Sequence, residues 1–166
     1  MPTPLGVVAR GLAAGAAGTA LMDAYQKLRA RLGDGSPDAG AEQPPGSWAE
    51  APAPAQIGQR VAEGVFHVDV PLRRAPELTQ AVHWAYGTGW GAAYALAHAS
   101  GSRSGLADGL GFGSLVFGAA YVVLPAARVY DPIWRYDART IANDLAQHLV
   151  YGLGVAAAYA VLDRRG

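Results

Sequence analysis

Two histidines open segments that carry one pattern twice. "HWAYGTGWGAAYA" (83–95) and "HLVYGLGVAAAYA" (148–160) share His, Tyr, Gly, Gly, Ala, Ala, Tyr and Ala at the same offsets. On a helix His83, Tyr86, Trp90 and Tyr94 fall on a single stripe, and His148, Tyr151, Val155 and Tyr159 form its equivalent. Asp144 precedes His148 by one helical turn, whereas Thr79 holds the matching place before His83. Imidazole changes charge near neutral pH, and a carboxylate one turn away fixes its tautomer and favours its protonated form. Ionisable groups are expensive in lipid and commonly line ion or proton routes. His83, Tyr86, Tyr94, Asp144, His148, Tyr151 and Tyr159 therefore form a candidate polar site for protons or a small solute. A plainer role for both histidines is to meet water or headgroups at a membrane boundary. A third reading makes His83 and His148 the paired axial ligands of a haem, with Gly87 and Gly152 leaving room for the macrocycle. No other cofactor and no metal site is expected.

The elements that must hold these residues follow from where charge is missing. Asp, Glu, Lys and Arg are absent from 78–102, 109–127 and 145–162, and a helix needs roughly 20 mostly apolar residues to cross the hydrocarbon core. A weaker fourth window, "LGVVARGLAAGAAGTALMDAY", is interrupted by Arg10 and closed by Asp23. The expected fold is all-α: a four-helix transmembrane bundle of two tandem hairpins, with spans at about 5–27, 78–99, 106–126 and 142–162 and a flexible Pro/Gly-rich loop at about 33–55. A soluble helical bundle is the competing architecture. Gly11 and Gly15, Gly87 and Gly91, and Gly109 and Gly113 are each four apart, and Gly152 occupies the place of Gly87 in the second copy. In lipid such small residues let helix backbones approach. The second and fourth spans lie 65 residues apart and cross in the same direction, which is the parallel type of internal repeat. "GLAAG" (11–15) and "GLGFG" (109–113) extend the likeness to the first and third spans.

Several functions are disfavoured by what the chain lacks. Zero formal net charge gives no overall footprint for nucleic acid, and the absence of cysteine removes thiol chemistry and disulfides. "GTGWGA" and "GLGVAA" fit a dinucleotide-binding pattern but follow no strand, and Ser100, Ser102, Ser104 and Ser114 have no nucleophile-elbow context. The expectation is a non-enzymatic protein whose partners are the lipid bilayer and a further copy of itself. Lys27, Arg29, Arg31, Arg60, Arg73, Arg74, Arg128, Arg135 and Arg139 place both inter-hairpin-helix loops on the cytoplasmic side, with the termini outside. In "QIGQRVAEGVFHV", Ile57, Val61 and Val65 recur every four residues, as in an interfacial helix. Tyr130, Trp134 and Tyr136 belong to the aromatic type that favours the headgroup layer. These loops also suit a scaffold that binds a cytoplasmic partner.

The stretch from "VYDPIWRYD" through "HLVYGLGVAAAYAVLDRR" resembles the YagU-like family of bacterial inner-membrane proteins. The likeness is carried by Tyr130, Asp131, Trp134, His148, Leu149, Val150 and Tyr151, over about a quarter of the chain. It implies a multi-pass protein of the bacterial inner membrane with a loose link to survival under acid stress. This chain differs in its Pro-rich loop and in lacking a basic N-terminal extension.

Overall fold

A computed structural model describes residues 3–33, 45–99 and 105–163, and these are helical with no strand among them. Five α-helices run α1 (Pro4–Arg31), α2 (Ala53–Val65), α3 (Ala75–His98), α4 (Leu106–Ala126) and α5 (Ala138–Asp163), with 3-10 turns at Leu72–Arg74 and Ile133–Arg135. Their limits follow from local chemistry. The Thr3 hydroxyl accepts the Gly6 amide and Pro4 fills the first turn of α1, where a missing N–H costs nothing. Asp108 accepts the Gly105 amide at the start of α4. Asp137 opens α5 by accepting the amides of Arg139 and Thr140 at 2.9 and 3.0 Å. Past the end of α4 the chain turns through Arg128 at φ 57°, which lets the Val129 amide reach the Leu124 carbonyl.

Three of these helices, α1, α4 and α5, are long and apolar enough to cross a membrane. The expected second span is present as α3, but His83, Trp84, Tyr86, Trp90, Tyr94 and His98 dilute its apolar character, and it is not among the three. The distribution of side chains is the reverse of a water-soluble core. Buried positions along the long helices are largely Gly, Ala, Thr and Tyr, while Leu12, Leu21, Leu28, Leu96, Leu110, Leu115, Val122 and Val161 face outward. A chain stabilised by removing aliphatic surface from water would bury those residues first. Here close backbone approach supplies the packing instead.

Helix α1 lies between α3 and α5, α4 packs on α5, and α2 packs on α3. Where α3 and α4 face each other, rings fill the space: Phe112 meets Trp90 at 6.1 Å and Tyr94 at 4.9 Å between centroids. The contacts between α1 and α3 recur between α4 and α5. A Cβ on Gly91 would meet the Gly11 carbonyl and the Gly15 backbone at 2.4 Å, and one on Gly152 would meet the Gly109 carbonyl at 2.2 Å and the Gly113 backbone at 2.5 Å. Gly11 faces Gly91, Ala92 and Ala95 as Gly109 faces Gly152, Leu153 and Ala156. Gly15 faces Gly87 and Thr88 as Gly113 faces His148 and Leu149. These equivalents are 98 residues apart from α1 to α4 and 61 from α3 to α5. The written repeat is 65, so the packing pairs Gly152 with Gly91, one helical turn from its sequence partner Gly87.

The Pro/Gly-rich connector is less uniform than its composition suggests. Residues 34–44 lie outside the described residues, but from 45 onward the chain is packed. Ala51, Ala55 and Ala75 form a small apolar cluster with Trp48 and Leu72, and the Gln56 amide donates to the carbonyls of Ala49 and Ala51. The interfacial segment forms α2, seated by Gly58 against Leu78 and Val82 of α3. Arg60 donates to the Ala127 and Arg128 carbonyls at the end of α4, where a cation is favoured by the helix dipole. That bond also places both inter-helix loops at the same end of the molecule.

Candidate functional site

The polar residues of the long helices gather about two to three turns inside the loop end. Antiparallel helices bring residues late in α1 and α4 beside residues early in α3 and α5, which is why positions so far apart in sequence meet. His83 Nε2 donates to Asp23 Oδ1 at 3.1 Å, linking α3 to α1. The side chains of this pair retain only 25% and 14% of their exposure, so water screens the contact less than it would on a surface. His148 Nδ1 donates to the Asp144 carbonyl at 2.7 Å and lies 3.6 Å from Asp144 Oδ1. Asp144 also accepts from Gln147 and from the Tyr121 hydroxyl, and Gln147 accepts in turn from Gln26 of α1. All four long helices therefore contribute.

The partners of both imidazoles fix where a proton is held. A carboxylate and a carbonyl only accept, so Nε2 of His83 and Nδ1 of His148 carry hydrogen in either charge state.

The sequence-matched histidines do not occupy matching places. In the packing, His83 corresponds to Asp144 and Asp23 to Tyr121, so the Asp23–His83 bond of one helix pair is replaced by Tyr121–Asp144 in the other. His148 corresponds to Gly87; it faces the Phe117 ring at 5.7 Å, as Gly87 faces Thr19. The two equivalent histidine stripes thus give two separate carboxylate–histidine pairs. Asp144 is where the spacing put it. Asp23 and Tyr121 were missed because each reaches its partner across a helix contact rather than along its own helix; Asp23, the acidic residue closing the first apolar window, was the available signal.

The predicted tyrosines divide. Tyr94, Tyr151 and Tyr159 are buried in the core, whereas Tyr86 is exposed and packs its ring edge-on against Trp90. The Tyr151 hydroxyl donates to the Gly87 carbonyl at 2.6 Å, joining α5 to α3. Tyr94 meets Tyr159 at 5.6 Å and stacks on His98 at 4.0 Å. At that far end Arg10 pairs with Asp163 at 3.2 Å. The Thr19 hydroxyl donates to the Gly15 carbonyl, and the Phe112 ring stands between Tyr151, at 6.1 Å, and Tyr94, at 4.9 Å, so the buried hydroxyls are joined to the backbone rather than to one another. The predicted packing glycines are all buried at helix contacts: Gly11 and Gly15 with Gly87 and Gly91, and Gly109 and Gly113 with Gly152. Outside the helical spans, hydrogen bonds from Thr140 hold the Asp137 carboxyl below its ordinary range. Among the described residues no three His, Asp or Glu side chains converge as a metal site.

Comparison with protein families, with curated proteins and with solved structures gives no match for this chain.

Proposed function

We propose that this chain is a four-span membrane protein that handles protons at the carboxylate–histidine pairs near its loop end. Helix α3 supplies the fourth span: at 24 residues it is about 36 Å long, enough for a hydrocarbon layer of about 30 Å. Gly87, Gly91, Trp90 and Tyr94 are turned to neighbouring helices, which lowers the demand that every face be apolar. The observation that carries the reading is the pairing of two of the three histidines on α3 and α5 with a carboxylate, Asp23 for His83 and Asp144 for His148. Nε2 of His83 donates to the Asp23 carboxylate, and Nδ1 of His148 donates to the Asp144 carbonyl with that residue's carboxylate 3.6 Å away. The location we assign, a bacterial inner membrane, rests on the family resemblance of residues 130–151.

The test is proton flux in liposomes under an imposed pH gradient, comparing the native chain with the His83→Phe/His148→Phe double variant. Flux in the native chain and its loss in the variant are expected. Flux that survives both substitutions, or none in the native chain, refutes the proposal.

A further inference from the structure

Helix α3 sits one turn away from the register that its own sequence repeats. The repeat matches Gly87 with Gly152, Gly91 with Ala156 and Thr79 with Asp144, whereas the contacts match Gly91 with Gly152, Ala95 with Ala156 and His83 with Asp144. Moving α3 by four residues along α1, about 6 Å, brings Gly87 into the slot between the Gly11 carbonyl and the Gly15 amide. Gly91 then takes the place that Ala156 holds against α4, where a Cβ is native. Both registers offer the slot a residue without a Cβ, because α3 carries glycine at 87 and at 91. Helix α5 has no such choice: His148 and Ala156 flank Gly152 at the same spacing.

The polar partners change with the register. In the moved position Asp23 lies opposite Thr79, as Tyr121 lies opposite Asp144, and His83 replaces Gly87 against Thr19, as His148 lies opposite Phe117, so the Thr19 hydroxyl must turn aside for the new Cβ. The Asp23–His83 bond and the Tyr151–Gly87 bond belong to the observed register alone. Packed helices shift in whole turns because ridges fit grooves only at discrete settings. We infer that α3 has two packing registers on α1, one helical turn apart, and that the Asp23–His83 bond latches the observed one. Proton passage is not needed for this, and its failure in liposomes leaves the inference standing.

Spin-label distances test it directly, since the chain has no cysteine of its own. Leu28 and Leu96 are exposed near opposite ends of α1 and α3, so a pair of labels at Leu28→Cys and Leu96→Cys reads displacement along the helix axis. The native chain is expected to give one main distance. Gly91→Ala, which the observed register forbids and the moved register accepts, lengthens it by about 5 to 6 Å while the helical content is retained. Asp23→Asn, which removes the latch charge, gives both distances. A folded Gly91→Ala chain with the native distance overturns the inference, and so does a Gly91→Ala chain that fails to fold, because the second register provides room for that methyl group. A single native distance in Asp23→Asn overturns the latch.

Discussion

Adding one methyl group at Gly152 is the sharpest test of how this protein is held together. A Cβ there would stand 2.2 Å from the Gly109 carbonyl oxygen, 2.5 Å from the Gly113 nitrogen and 2.7 Å from its Cα. Those are backbone atoms of a helix and cannot rotate away. Ordinary contact needs roughly 3.5 Å, so α4 and α5 must separate by about 1 Å along the whole stretch where their glycines meet. That separation weakens the dispersion contacts of Gly109, Gly113 and Ala156 together, and it has no second glycine register to escape into. Overpacking a tight core costs typically 1–3 kcal/mol and sometimes more. With backbone on both sides the upper end applies, about 3 kcal/mol, or roughly a hundredfold in the folding equilibrium. Gly111 is the control: it lies on the same helix pair with nothing within 4 Å of its added Cβ. The assay is thermal unfolding in one detergent, followed by circular dichroism and by the fraction remaining monodisperse. Gly152→Ala should unfold well below the native chain, and Gly111→Ala should match it. Equal melting of Gly152→Ala and the native protein, or an equal loss in Gly111→Ala, refutes the close backbone contact.

Two further outcomes follow from single hydrogen bonds. Tyr151→Phe keeps the ring in the core but removes the donor to the Gly87 carbonyl; the expected loss is about 1 kcal/mol, measured as a lower unfolding temperature with unchanged helical content. At the start of α5, the depressed Asp137 carboxyl stabilises the folded chain above its unfolded value, and that contribution is lost as pH falls through the folded value. Asp137→Asn keeps a capping oxygen without the charge, so the protection of the Arg139 and Thr140 amides against exchange should stay constant as pH falls below the ordinary carboxylate range, where that of the native chain declines.

Much of the helical layout is legible in the sequence, because charge-free windows and caps are local signals. The ends of α4 at Leu106 and Ala126 coincide with the expected limits, α1 and α5 extend beyond theirs at both ends, and α3 extends at its start by residues that include Glu77. The amphipathic spacing of Ile57, Val61 and Val65 likewise marked α2. The packed segment from residue 45 onward was hidden because Pro and Gly composition reads as a linker, while its order comes from burial of Ala51 and Ala55 against Ala75, a distant residue.

What the residues determine by themselves is periodicity: which faces carry glycine, which carry tyrosine, and that His148 has Asp144 one turn before it. Register between helices is a different quantity. Glycines at both 87 and 91 leave periodicity unable to say which of them enters the slot between Gly11 and Gly15, and only tertiary contacts choose. The structure sets Gly91 against Gly11 and Gly15, and with that one-turn choice gives His83 to Asp23 rather than leaving it opposite Thr19. The physical reason is that helix propensity and hydropathy act along one chain segment, whereas slot depth and hydrogen-bond pairing exist only between segments.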